Sequence, residues 1–115
     1  MLEKPKFLQG VYPFQGKGLA SPFSLTPALA YKVPADKRCQ LTYFRAGNSS
    51  TELIYFVVQR DGTPMRYFPI GAKSAIHIAL AVTEDLPPET TLVVQIAAPA
   101  GCAGDAVIDV GLMEF

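Results

Sequence analysis

Short segments in which apolar and polar residues alternate recur about every 10 to 14 residues along this chain, and residues typical of turns separate them. Ala75–Thr83 is the clearest example, because Ile76 and Ile78 fall on one side of an extended chain and His77 on the other. Ala106–Met113 alternates in the same way and predicts a strand with Asp109 outward. A helix would need apolar residues three and four positions apart, and no segment keeps that spacing convincingly. The pattern predicts an all-β protein, an antiparallel β-sandwich of about seven to eight short strands. It would be immunoglobulin-like or jelly-roll, with a small β-barrel as the alternative.

The beginning of the chain differs in composition from the remainder. Glycine, proline and lysine are frequent there, and the only strand signal is a short one at Phe7–Tyr12. With 115 residues the chain has the usual size of one domain. We therefore predict an N-terminal arm over residues 1–23, followed by a β-sandwich domain over residues 24–115.

Three predicted strands in the middle of the chain are joined by short turns. The strands are Arg38–Ala46, Thr51–Gln59 and Met65–Ile70, and the turns are Gly47–Ser50 and Asp61-Gly62. Asp-Gly is a strong signal of a two-residue hairpin, because a type I′ turn needs a positive φ at both central positions. We therefore expect these three strands to be neighbours in one antiparallel sheet.

The two turns also predict a register, which sets the face of each side chain. The first turn would place Phe44 opposite Leu53, and the second would place Val58 opposite Met65 and Tyr55 opposite Phe68. One face then collects Cys39, Leu41, Tyr43, Ile54, Phe56, Val58, Met65 and Tyr67. The other face collects five apolar residues, Phe44, Leu53, Tyr55, Val57 and Phe68, with Gln40, Thr42 and Arg66 as a polar margin. These last eight residues are the candidate interface.

A sheet face that meets water is normally polar, so the candidate interface is expected to be covered. The N-terminal arm, which carries Phe7, Leu8, Phe14 and Phe23, is one possible cover, and a second copy of the chain is another. A ligand or a foreign protein partner is the third. Only 17% of the residues are charged, below the roughly 25% of an average soluble chain, which favours self-association.

The sequence thus predicts a non-enzymatic assembly or interaction module that forms a homo-oligomer. A sandwich that binds a small ligand, with carbohydrate as one option, is the alternative, and a small enzyme is less favoured. Ten basic and ten acidic residues give a formal net charge of zero, which argues against nucleic-acid and membrane-surface binding. No apolar segment of a secretory signal follows Met1–Lys6, so a cytoplasmic location is expected, although a mature secreted chain would look the same.

Residues able to carry chemistry are few. His77 is the sole histidine, and Cys39 and Cys102 are the only cysteines, too small a set for a typical zinc site. Cys39 is expected to face the core, which disfavours the reactive thiolate. We predict no catalytic residue, no metal and no cofactor. The tripeptide Asn48-Ser49-Ser50 matches a glycosylation sequon, but it is better explained as hydrogen-bonding turn residues.

Overall fold

The computed structural model describes residues 3–80 and 84–115, so positions 81–83 of the strand predicted over Ala75–Thr83 lie outside the described residues. A short 3₁₀ helix over Pro27–Leu29 precedes the second strand. The strands in chain order are β1 (Lys4–Gln15), β2 (Ala30–Lys32), β3 (Cys39–Asn48), β4 (Ile54–Arg60), β5 (Thr63–Ile70), β6 (Ser74–Ala79), β7 (Asp85–Leu86), β8 (Thr91–Ala97) and β9 (Ala103–Glu114).

The strands form two antiparallel sheets that pack face to face. Sheet A has the order β1-β9-β3-β6, and β7 pairs with β3 beyond the end of β6. Sheet B has the order β2-β8-β4-β5. The two sheets stay separate and do not close into a barrel. The predicted all-β sandwich is therefore confirmed.

Aromatic rings from both sheets meet at the centre of the core. Phe44 of sheet A stacks on Phe68 of sheet B, with ring centroids 4.0 Å apart and ring planes 2° from parallel. Its centroid lies 5.6 Å from that of Phe56, also in sheet B. All three rings are buried. Aliphatic side chains on the inner faces surround them, including Leu41, Ile54, Ile70, Leu92, Ile96, Ile108 and Leu112.

The predicted pairing of β3 with β4 is wrong, because the chain crosses from sheet A to sheet B between them. The predicted turn at Gly47–Ser50 is the start of this crossover. Buried Asn48, the last residue of β3, holds it: its amide nitrogen donates to the carbonyls of Glu52 and Gly71, at 2.9 and 3.1 Å. Its side-chain oxygen accepts from the backbone N–H and the hydroxyl of Ser50, at 2.9 and 2.7 Å. These bonds satisfy local backbone groups that a hairpin ladder would otherwise pair.

An irregularity in β3 explains why Phe44 faces the core. The register between β3 and β9 shifts between Leu41 and Tyr43, which leaves Thr42 as the extra residue of a β-bulge. The hydroxyl of Thr42 donates to the carbonyl of Gly111 at 3.0 Å. Strict alternation would place Tyr43 beside Leu41, but after the bulge Phe44 takes the inner face and Tyr43 the outer one.

A second bulge reassigns the strand after the Asp61-Gly62 turn. The turn itself is confirmed: both residues have positive φ, at 49° and 82°, and Arg60 pairs with Thr63. The register then shifts between Val58 and Gln59. The predicted pairs Val58 with Met65 and Tyr55 with Phe68 are therefore wrong, since the observed partners are Arg66 and Pro69. Phe68 pairs with Phe56 and joins the core, while Tyr67 faces outward.

The beginning of the chain belongs to sheet A. β1 contains the strand predicted at Phe7–Tyr12, extends it in both directions and pairs along its whole length with β9. Its buried residues Leu8 and Phe14 join the core. The chain then passes along sheet B, where Phe23 forms a bridge with Ile96 of β8.

Candidate interaction site

The structure does not bring the eight candidate interface residues together. Phe44, Gln40 and Thr42 belong to sheet A, and the other five lie in or beside sheet B. Phe44, Val57 and Phe68 are buried within the chain, whereas Tyr55, Gln40, Thr42 and Arg66 are half-buried and Leu53 is 47% exposed. Arg66 forms an ion pair with Glu84 at 2.9 Å. The face that the sequence predicts to be apolar is thus divided between the core and two separate surfaces.

A different surface collects several exposed apolar side chains. It is the outer face of sheet A, called here the sheet A face, and its rows are read from the strand register. The rows contain Phe7, Gly111, Tyr43 and Ala79; Gln9, Asp109, Arg45 and His77; and Val11, Val107, Gly47 and Ala75. Three of its apolar side chains are largely exposed, Phe7 at 52%, Val11 at 64% and Val107 at 49%.

A shallow groove crosses the third row because one strand has no side chain there. Gly47 of β3 lies between Val107 of β9 and Ala75 of β6, and the groove above it has a volume of about 290 Å³. A methyl group on Gly47 would sit 3.7 Å from the Val107 Cβ, so the glycine leaves this space open rather than relieving a clash. Val107 therefore projects directly beside a depression.

The second row is polar and centred on Asp109. Its carboxylate accepts hydrogen bonds from the Gln9 amide at 3.0 Å and the Tyr43 hydroxyl at 2.9 Å, and the Arg45 guanidinium lies 3.8 Å away. The Gln9 hydrogen bond, followed by the Tyr43 hydrogen bond and the electrostatic effects of Arg45 and nearby His77, holds the pKa of Asp109 below its ordinary value despite some desolvation. Desolvation and the bond to Asp109 raise the pKa of Tyr43. The row therefore carries one fixed negative charge beside an exposed positive one.

Tyr43 is held flat on the sheet A face. A Cβ on Gly111 would collide with the Tyr43 ring, so the ring occupies the place where the neighbouring strand would carry a side chain. His77 meets this ring edge-on, with centroids 6.1 Å apart. An aromatic ring thus lies across the glycine position of the first row, whereas the glycine position of the third row is open.

A second polar cluster is buried between the sheets. The Tyr31 hydroxyl donates to the Glu114 carboxylate, and the Cys39 thiol lies beside both. Burial, followed by the negative charge of Glu114, raises the pKa of Cys39 to about 11. Burial and the Glu114 bond also raise the pKa of Tyr31. A thiol that is protonated and shielded from solvent cannot act as a nucleophile, so this cluster is suited to stabilising the structure.

The two cysteines are expected to differ sharply in reactivity. Both thiols are free; Cys39 is buried, whereas Cys102 is half-buried in the loop before β9. A thiol reagent such as Ellman's should modify one thiol of the native protein quickly and the second only on unfolding. Cys102→Ser should remove the fast phase. Fast labelling of Cys102→Ser in native buffer would contradict the buried environment of Cys39.

The remaining residues that could carry chemistry, His77 and Asn48, do not form a recognisable site in the described structure. His77 lies on edge strand β6, and within the described residues no group of three or more histidine, cysteine or acidic side chains is arranged to hold a metal ion. Asn48 of the sequon is the buried last residue of β3 rather than a turn residue, and its side chain is hydrogen-bonded to the crossover.

Sequence reasoning missed the sheet A face because its rows join distant parts of the chain. Gln9 and Asp109 are hydrogen-bonded although 100 positions separate them. The one usable signal was alternation in the last strand, which predicts Asp109 outward between inward Ile108 and Val110, as observed.

The described part of the chain contains no helix long and apolar enough to cross a membrane. The chain matches no protein-family model, and no curated protein sequence is significantly similar to it.

Proposed function

We propose that this domain is a non-catalytic self-association module and that two copies meet through their sheet A faces. The observation that carries the proposal is the position of Val107 beside Gly47 and of Asp109 beside Arg45 on the same two strands. In both rows the side chain on β9 complements the position on β3: Val107 can fill the space above Gly47, and the charge of Asp109 is opposite to that of Arg45. The chemistry of the buried cluster supports a non-catalytic role, since its thiol is protonated and enclosed.

A single two-fold axis allows both complementary contacts to form between two copies of the chain. If the axis runs along the strands, midway between β3 and β9, it places β9 of each copy over β3 of the other with equal rows facing. Val107 of each copy then stands over the Gly47 groove of the other, and Asp109 of each over Arg45 of the other. Such an arrangement is isologous, the usual symmetry of homodimers. Aligned packing of sheet faces is also a common geometry.

The size of the sheet A face suits a reversible dimer. Four strands spaced about 4.8 Å apart, and eight residue steps of about 3.4 Å between Pro5 and Pro13, give roughly 500 Å². A standard interface buries about 800 Å² on each partner, and weaker transient ones bury less. The zero formal net charge of the chain means that two copies do not repel each other at long range. We therefore expect a dimer that forms at high protein concentration and dissociates on dilution.

Val107→Glu is expected to raise the dimer dissociation constant at least about tenfold, because it replaces an apolar contact with a charge that must be desolvated over the groove and that lies close to Asp109. Sedimentation velocity over a range of concentrations measures this shift. The melting temperature should stay unchanged, since Val107 is exposed in the single chain. Leu53→Glu is the matched control, because Leu53 is equally exposed but lies away from the sheet A face. An unchanged constant for Val107→Glu, or an equal effect of Leu53→Glu, would exclude this interface.

A charge-exchange pair tests the contact between copies directly. Arg45→Asp places two negative charges in the polar row of each copy, and Asp109→Arg places two positive ones there. Each variant alone should remain monomeric because like charges face each other across the axis. An equimolar mixture should form a heterodimer in which both contacts join opposite charges. A mixture that stays monomeric while wild type dimerises would show that these two residues do not meet across the interface.

A further inference from the structure

The outer face of sheet B differs in chemistry from the sheet A face. Its outward residues on the three longer strands are uncharged: Tyr55, Val57 and Gln59 on β4, Tyr67 and Pro69 on β5, and Val93, Gln95 and Ala97 on β8. We call the central group Tyr55, Val57, Gln59, Tyr67 and Gln95 the sheet B platform.

Two tyrosine rings form the aromatic part of the platform. Tyr67 is 60% exposed, and its ring centroid lies 5.6 Å from that of Tyr55, with ring planes inclined at 59°. The Tyr55 hydroxyl donates to the carbonyl of Leu19 at 2.6 Å, which holds this ring in place. Val57, the register neighbour of Tyr67, is buried. The platform therefore presents the exposed Tyr67 ring beside a Tyr55 ring that is held in place before any ligand arrives, with buried Val57 supporting them from below.

Two carboxamides form the polar part. The Gln59 amide donates to the Gln95 side-chain oxygen at 2.9 Å, and the Gln95 amide donates to the Ser24 hydroxyl at 3.3 Å. A carboxamide has two N–H donors and two acceptor lone pairs, so these contacts use only part of the capacity of each side chain. The remaining donors and acceptors lie beside Val57 and within one row of the rings.

We propose that the sheet B platform binds a neutral β-linked oligosaccharide. A pyranose with equatorial hydroxyls has a flat apolar C–H face that stacks on an aromatic ring, and hydroxyls around its edge that exchange hydrogen bonds with amides. β-Linkage keeps successive rings extended, which fits an open platform rather than a closed cavity. The absence of charge among the outward residues of β4, β5 and β8 favours a neutral glycan over an anionic one. This site is separate from the sheet A face and does not depend on self-association.

Affinity electrophoresis of the full chain tests the proposal, with hydroxyethylcellulose and mixed-linkage β-glucan in the gel and α-linked pullulan as the comparison. Wild type should be retarded by a β-linked polymer and not by pullulan. Tyr67→Ala should weaken binding at least about tenfold through loss of stacking, while Tyr67→Phe should retain it. Gln95→Ala should weaken it severalfold.

Ile78→Ala is the matched control, because Ile78 is an exposed apolar residue on β6 of the opposite sheet and lies outside the rows of the sheet A face. It should leave retardation unchanged. No retardation by either β-linked polymer, equal retardation of Tyr67→Ala and wild type, or an equal loss in Ile78→Ala would overturn the proposal. Far-ultraviolet circular dichroism confirms that each variant is folded, and Tyr67→Phe supplies the test if Tyr67→Ala does not fold.

Discussion

Phe44→Ala is expected to lower the free energy of unfolding by about 3 to 5 kcal/mol, the range found for removing a buried phenylalanine ring. Phe44 is completely buried and stacks on Phe68 across the middle of the sandwich. The substitution would leave a cavity where the two sheets meet. Small domains are stable by only about 5 to 15 kcal/mol, so this loss is a large share of the total. Urea denaturation followed by circular dichroism measures it.

Leu53→Ala is the comparison for Phe44→Ala, since the sequence alone predicts both residues on one apolar surface. Leu53 is 47% exposed, so its truncation should change stability by no more than about 0.5 kcal/mol. Equal losses in the two variants would contradict the assignment of Phe44 to the core. A Phe44→Ala variant of normal stability but altered mass in solution would restore the interface that the sequence predicts.

Asn48→Asp is expected to destabilise the domain by about 3 kcal/mol or more at neutral pH, since buried polar groups lose their partners. The Asn48 amide donates to two backbone carbonyls, those of Glu52 and Gly71. A carboxylate in the same place would face these oxygens with a negative charge. Asn48→Ala removes the same donor without adding the charge, so it should be the milder of the two changes.

The pH dependence of the free energy of unfolding distinguishes the effect of the added charge from the effect of the lost hydrogen-bond donor. We expect burial and the two facing carbonyls to raise the folded-state pKa of the introduced carboxyl above its unfolded value of about 3.9, outweighing the two hydrogen bonds from Ser50 that favour the charged form. The destabilisation of Asn48→Asp is then complete well above that raised pKa and is relieved as the pH falls through it. The stability gap to wild type should narrow between about pH 7 and pH 4 for Asn48→Asp, but not for Asn48→Ala. If the free energies of unfolding of the two variants changed in parallel with pH, the carbonyls would not face residue 48.

Local sequence signals predicted the strands and turns of this fold better than they predicted which strands lie next to each other. Alternation identified the last strand with Asp109 outward, and Asp61-Gly62 has the positive φ angles of the predicted turn. By contrast, Gly47–Ser50 resembles a hairpin loop in composition but begins a crossover between sheets. The same polar and small residues suit both conformations, and long-range bonds such as that from Asn48 to Gly71 decide between them.

Two β-bulges explain why the sequence places Phe44 and Phe68 of the candidate interface on the wrong face of their strands. Each bulge adds one residue to a strand, and a shift of one residue moves every later side chain to the other face. Thr42 brings Phe44 inward in this way, and Met65, the extra residue of β5 between Pro64 and Arg66, brings Phe68 inward. The first bulge has no glycine or proline to mark it, whereas Pro64 adjoins the second, and proline within a strand is typical of sheet edges and bulges. An argument from strict alternation ignores that signal. The surfaces proposed here depend on pairs such as Gly47 with Val107, which only the tertiary structure reveals.

The order of strands within each sheet has a consequence for how the protein is made. β9, the last strand, lies between β1 and β3, and β8 lies between β2 and β4. A chain emerging from the ribosome therefore carries β1 to β7 before β8 or β9 is available. Until β9 has been synthesised, β1 and β3 lack the strand that joins them, and their apolar side chains remain prone to aggregation.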